Sequence, residues 1–266
     1  MNGILQVSRE ITQVTPDPIL MIGNFKITNS TLASLLILIL FLAFCLFVIR
    51  KYRIRPNKSQ TIIELLFESM FDLITQITGS EKYAKTLFPL IATIFMYVGI
   101  SNLISIIPGF TSITFNGYSV FRSPTSDFNT TFGLAVGAVF LTNVVSMKDW
   151  GFFGHLGKFF KFKEVYLGFK DSFKSGFMAI IDFAIGLLDI VGELAKVVSL
   201  SLRLFGNMYA GEILAGLILG AFAYVIPLLW TAMSLLSGVI QAIVFGSLTT
   251  AYYMLAVKIK EGKEGM

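Results

Sequence analysis

Six ionisable residues interrupt one of the most apolar stretches of this sequence. Asp182, Asp189, Glu193, Lys196, Arg203 and Glu212 all fall between Gly176 and Val225. Ionisable groups inside a membrane segment are costly, and they face a cavity or a partner charge. Such groups pass protons or ions. Arg203 is the hardest of the six to explain as packing. Guanidinium does not shed its proton, and positions 199, 200, 206 and 207 place no acid one turn away. The other residue types exclude rival chemistry. Cys45 is the single cysteine and His155 the single histidine, so no intrachain disulfide and no Cys- or His-based metal site can form. No P-loop is present, so nucleotide chemistry is not expected on this chain. No cofactor is expected either.

Spacing sorts these groups. On a helix at about 100° per residue, with Arg203 at zero, Lys196 falls near 20°, Asp189 and Asn207 near 40°, Asp182 near 60° and Glu193 near 80°. Glu212 points about 180° away from Arg203 and lies about 13 Å further along the axis. One helix therefore offers two polar faces at two depths. That pattern suits two offset half-pathways separated by a fixed positive charge, whereas an ordinary channel wants one continuous stripe. The plain alternative is that Asp182, Asp189 and Lys196 are salt-bridged glue between helices. For Gln241, the one large amide on the last apolar segment, the two readings are a bond to a neighbouring helix or a role in positioning Arg203. Gly206, Gly211, Gly216 and Gly220 follow Arg203, with Gly238 and Gly246 on the last segment. They permit close packing within the chain or against another membrane subunit.

The elements that carry these groups are membrane helices. Of the 266 residues 55% are hydrophobic and 14% charged. A soluble surface needs roughly 25% charged residues, so lipid is the solvent for much of the chain. The first apolar span is 31–49, ending at Arg50, Lys51, Arg53 and Arg55; it is too long for a signal-peptide core. Residues 59–78 alternate an apolar face with Glu64, Glu68 and Asp72, which predicts an amphipathic helix at the interface or on a partner. Further spans are expected at about 87–107, closed by Pro108-Gly109, and about 129–145, after a capping Pro124–Asp127 turn. Residues 147–175 read as a lysine-rich loop. From 176 to 225 no proline interrupts a helical pattern that would run about 75 Å, so this segment is tilted, broken or partly outside the bilayer. Pro227 marks a turn before a last helix at about 228–257. The expected fold is all-α and polytopic: about five membrane helices plus one interfacial helix, in a single membrane domain, 31–266. Residues 1–30 form an external N-terminal segment.

Charge orients the chain. Lys and Arg cluster after the first span, between the third and fourth, and at the C-terminus, while 109–127 holds only Arg122. The positive-inside rule puts the N-terminus outside and the C-terminus in the cytoplasm. The same rule explains the excess of 21 Lys and Arg over 16 Asp and Glu, with no basic-aromatic patch to suggest nucleic acid.

The run Ser199-Leu-Ser-Leu-Arg203-Leu-Phe-Gly-Asn207-Met-Tyr-Ala-Gly-Glu212 closely resembles the signature of subunit a of the F-type ATP synthase membrane sector. Gly238-Val-Ile-Gln241, Asn102-Leu-Ile-Ser-Ile-Ile-Pro108-Gly109 and Pro124-Thr-Ser-Asp127 resemble further parts of that family, in order, from about residue 60 to the end. The resemblance implies a stator that works against a ring of c subunits, beside the b-subunit peripheral stalk and the other synthase subunits, in a bacterial plasma membrane. Arg203 matches the family's essential arginine, which separates two half-channels. Asn207, Glu212 and Gln241 match polar residues near the ion pathway. Asp189 stands where the family often has a Glu, and Asp127 where it has an acid near the outer mouth. Glu193, Lys196, Ser199, Asn102 and Ser234 complete the expected pathway set. The last two helices are expected to form a long tilted hairpin.

One departure from the family bears on the ion. Many proton-using bacterial members place a His on the last helix near Glu212, where this chain has Ser234. Water can carry protons, so H⁺ is the default; hydroxyls, an amide and one carboxylate also suit Na⁺. A secondary transporter with an acidic stripe is the alternative from another class, and a purely structural membrane anchor is a third.

Overall fold

The computed structural model describes residues 15–22, 25–107, 110, 114–115, 118–150, 173–221 and 225–264. Six helices dominate: α1 (Asn29–Lys51), α2 (Lys58–Thr78), α3 (Glu81–Ile106), α4 (Phe128–Trp150), α5 (Phe173–Ala221) and α6 (Val225–Glu264). The protein is an all-α polytopic membrane protein. Two small antiparallel hairpins accompany the helices, β1 (Pro18–Ile22) with β2 (Phe25–Thr28), and β3 (Thr114–Phe115) with β4 (Tyr118–Ser119). The first falls within the first 30 residues, where no element was expected. A 3-10 turn, Pro124–Ser126, leads into α4.

Several boundaries differ from the apolar runs for identifiable reasons. Helix α3 begins at Glu81, six residues before its apolar stretch, directly after the left-handed Gly79 that ends α2, and an exposed Glu81–Lys85 ion pair spans its first turn. Helix α6 begins at Val225, so Pro227 lies in its first turn and does not mark the break. A proline is tolerated there because the first N–H groups of a helix have no intrahelical partner. The lysine-rich segment 151–172 lies outside the described residues.

Among the described residues, four helices are long and apolar enough to cross a membrane: Asn29–Lys51, Glu81–Ile106, Phe128–Met147 and Ile226–Leu255. The fifth expected pass is α5. It is 49 residues long and unbroken. It is as apolar on average as the other spans, and Asp189, Glu193, Lys196 and Arg203 within it set it apart.

Helices α3, α4, α5 and α6 pack around one core, in which Val98, Ala135, Ala138, Leu200, Leu204 and Phe245 are almost wholly buried. A second core joins the C-terminal half of α2 to α3 and the end of α6 through Ile74, Leu87, Ile91 and Tyr253. Helix α2 is thus amphipathic in two stages: Met70 and Ile74 are buried, while Ile62 and Leu65 near its start are exposed. Helix α1 stands furthest from the bundle, buried only at Asn29, Ser30, Ala33 and Ile37.

Candidate functional site

Helix α5 turns its two charged landmarks in different directions. Arg203 is exposed, and no hydrogen bond or ion pair engages it among the described residues. Its neighbours on that face are small or aliphatic. Gly206 and Ala210 are exposed, as are Leu214 and Leu217. A methyl group added at Gly206, Gly211 or Gly216 would meet nothing within 4 Å. Packing inside this chain therefore does not require those glycines.

Glu212 faces the other way, into a cavity of about 340 Å³ between α3, α5 and α6. Ser105, Asn207, Trp230, Ser234 and Ser237 line it with Glu212. The wall is held by bonds across the hairpin. The Ser237 hydroxyl donates to Asn207 Oδ1 at 3.0 Å, and the Trp230 indole N–H donates to the Gly211 carbonyl at 3.3 Å. Above the cavity, the 3-10 turn packs against α5.

Asn102 extends the polar lining below that level. It is fully buried, and its Nδ2 donates to the Gly238 carbonyl at 2.9 Å. The fit is close: a Cβ at Gly238 would sit 3.1 Å from the Asn102 Cβ. Asn102 Oδ1 and Gln241 Nε2, on facing helices, are buried without a protein partner. Gln241 is 7% exposed, and no hydrogen bond joins it to Arg203 among the described residues.

The polar stripe that the helical angles group around Arg203 is not one surface. Lys196 Nζ binds Glu193 Oε1 at 2.7 Å, and both side chains are about one-fifth exposed or less. Asn143 of α4 donates to Glu193 Oε2 at 3.4 Å, and the Lys196 ammonium lies 5.4 Å from the Tyr252 ring centre. These residues tie α5 to α4 and α6. Asn207 turns to Ser237, and Asp189 and Ser199 are half-buried with no such tie among the described residues. The Asp182 side chain lies outside the described residues.

Asp127 is 3% exposed and fully engaged. Its Oδ1 caps α4 by accepting from the Asn129 N–H at 3.0 Å, and Oδ2 accepts from Ser30 at 2.6 Å and Thr130 at 3.1 Å. Residues the sequence reading did not single out complete the site: Arg122, Ser126, Trp230, Ser237 and Asn143. Arg122, alone among bases in its loop, and Asn143, an amide within an apolar span, were visible signals; the aim of Trp230 was not. Among the described residues no group of three His, Cys, Asp or Glu could hold a metal ion.

Comparison with known proteins gives a consistent result. The family model described as "ATP synthase A chain" matches residues 31–254. A subunit a of ATP synthase from Desulforamulus reducens is 33% identical over 205 residues, covering 74% of this chain and 66% of that relative. One from Propionigenium modestum, described as sodium ion specific, is 32% identical and covers 86% of this chain and 74% of the relative. One from Moorella thermoacetica is 29% identical over 91% of this chain and 96% of its own.

Proposed function

This chain belongs to the ATP synthase A chain family, and from that premise we propose that it presents two offset half-channels to a c-subunit ring, separated by Arg203. As a subunit a it is an ion-translocating component of the membrane sector, and other synthase subunits are its partners. The b-subunit stalk and the ring carboxylates are the specific partners in this reading. The observation that carries it is the opposition of Arg203 and Glu212 on α5. Arg203 is exposed on a face kept low by Gly206 and Ala210, where another helix can approach. Glu212 lines a half-open cavity whose polar groups include Ser105, Asn207, Ser234 and Ser237. A fixed positive charge at mid-depth favours the ionised form of a passing carboxylate and repels a stray cation. A leak past it would dissipate about 2.3 kcal/mol per charge at 100 mV.

The outer half-channel runs in this reading from Glu212 past Ser105, Asn207, Ser234 and Ser237 toward Asn102 and Gln241. The unpaired Asn102 acceptor and Gln241 donor supply hydrogen bonds to what passes. Asp189, Glu193, Lys196 and Ser199 flank the cytoplasmic side. The N-terminus is outside and the C-terminus in the cytoplasm of a bacterial plasma membrane.

Arg203→Ala in the assembled complex should abolish ATP synthesis and ATP-driven ion uptake into vesicles, while ATP hydrolysis by the soluble sector persists. Retained coupled pumping would refute the role of Arg203. We take H⁺ as the coupling ion. Na⁺ is the second reading, favoured by the hydroxyl, amide and carboxylate lining and by the absence of a His opposite Glu212. ATP hydrolysis by the whole complex with and without Na⁺ at several pH values decides between them: Na⁺ activation at high pH means Na⁺.

A further inference from the structure

Two cations of α5 stand on nearly the same face. Lys196 lies about 20° from Arg203 around the helix and about 10.5 Å before it along the axis. Their surroundings differ. Arg203 is exposed, and among the described residues no acid pairs with it. The Lys196 side chain is only 20% exposed, and its Nζ lies 2.7 Å from Glu193 Oε1. The ammonium also lies 5.4 Å from the centre of the Tyr252 ring on α6, within cation–π range. Both contacts draw the Lys196 charge back toward the bundle.

Glu193 is held for this task. One of its oxygens takes the ammonium, and the other accepts from Asn143 Nδ2 of α4 at 3.4 Å. The Asn143 amide is itself anchored on the Val139 carbonyl at 2.9 Å. The pair sits where α5 enters the bundle. Before it on this helix only Gly186 is buried among the described residues; after it Val197, Leu200, Ser201 and Leu204 are all buried. A shielded ion pair gains little stability over apolar side chains of similar volume. Its use therefore lies in where it puts the charge.

We propose that Glu193 is a positioning residue that silences Lys196, so that Arg203 alone presents a bare positive charge on this face of α5. A second bare cation two turns away would do harm in two ways. It would compete with Arg203 for a passing carboxylate, and it would repel the cation that travels on that side. With Glu193 in place, carboxylate and ammonium sum to zero and the ammonium is turned inward. The proposal rests on ring carboxylates passing the Arg203 face, and it deepens that reading by assigning the residue that keeps the face singly charged.

The test is the initial rate of ATP-driven ion uptake by the assembled complex in liposomes, normalised to the amount of complex. Glu193→Gln, which frees the ammonium, should slow uptake several-fold. Glu193→Gln combined with Lys196→Gln should recover most of the lost rate, although the ion pair is then gone. Glu193→Gln combined with Lys196→Arg, which keeps a permanent cation, should stay slow. Asn143→Leu cuts the tie to α4 and keeps both charges, so it should slow uptake less than Glu193→Gln does. A wild-type rate in Glu193→Gln would overturn the proposal. A Gln–Gln double variant no faster than Glu193→Gln would overturn it too, because the pair would then be a mechanical tie or Glu193 itself an ion carrier. Should Glu193→Gln alone fail to assemble, Lys196→Gln is compared with the Gln–Gln double variant. Equal rates uphold the proposal, since Glu193 is dispensable once the cation is gone, and a slower double variant overturns it. Arg203→Ala is run beside these. Coupled uptake retained there would remove the stator reading and this proposal with it, whereas uptake lost there but normal in Glu193→Gln would overturn this proposal alone.

Discussion

Asp127 and Glu212 are two acids whose surroundings fit them for different work. Each oxygen of Asp127 already accepts at least one hydrogen bond, and the carboxylate joins the start of α1 to the start of α4. Glu212 instead borders a cavity. A carboxylate with every oxygen occupied is a poor carrier, since each transfer must break a bond worth about 1.5–3 kcal/mol. Asp127→Ala should therefore lower the stability of the assembled complex by about 2 kcal/mol, read as a drop in its thermal midpoint, and should leave the H⁺ uptake of surviving complexes near normal. Unchanged melting with lost uptake would make Asp127 a carrier. The sequence showed Asp127 as both a helix cap and an acid near the outer mouth, and it could not rank the two. The deciding partner, Ser30, lies 97 positions away. Arg203 was different. Its cost in an apolar run is a local property, so it stood out with no knowledge of the fold.

At the scale of elements, the seam between α3 and α6 sets the polar lining. Gly238 and Gly246 lie on α6 eight residues apart, and each meets α3: a Cβ at Gly238 would press on Asn102 at 3.1 Å, and one at Gly246 on the Ile91 Cγ2 at 3.2 Å. The two contacts differ in consequence. Ile91 is an aliphatic group in the core beside α2. Asn102 is a buried amide bonded to the Gly238 carbonyl itself. Gly246→Ala should thus cost stability alone, about 1–3 kcal/mol from overpacking. Gly238→Ala should displace Asn102 and slow ion transport several-fold as well. Thermal melting and vesicle uptake of the two variants separate these outcomes; equal transport in both would show that Asn102 lies off the path. Of this seam, glycine spacing on α6 was legible, because small residues signal close helices. Which helix they approach was not, since Asn102 and Gly238 lie 136 positions apart. The hairpin β1–β2 left no signal that composition could catch, because strands of five and four residues are too short for a clear period.

The face of α5 that carries Arg203 is open. Leu202 and Leu217 of α5 are exposed, and so are Leu229, Met233, Leu236 and Ile240 of α6. In lipid such residues need no partner, but an exposed guanidinium among them does. The cavity beside Glu212 and the Glu193–Lys196 pair lie on parts of α5 separated by about sixteen residues, or about 24 Å of helix. Arg203 stands between them, and among the described residues the core around Leu200 and Leu204 fills the bundle at that depth. A through path within this chain would have to cross that apolar layer. The missing link is a carrier outside the chain, moving past the exposed face of α5. The purified chain alone in liposomes should then conduct neither H⁺ nor Na⁺ above the rate of protein-free vesicles. The assembled membrane sector should conduct, and removal of the ring should restore tightness. Substantial uptake by the chain alone would mean that the path is internal, and it would favour a self-contained transporter over a stator. The same experiment bears on Arg203. If the carrier is external, Arg203→Ala should leave the isolated chain as tight as before and show its effect only where a ring is present.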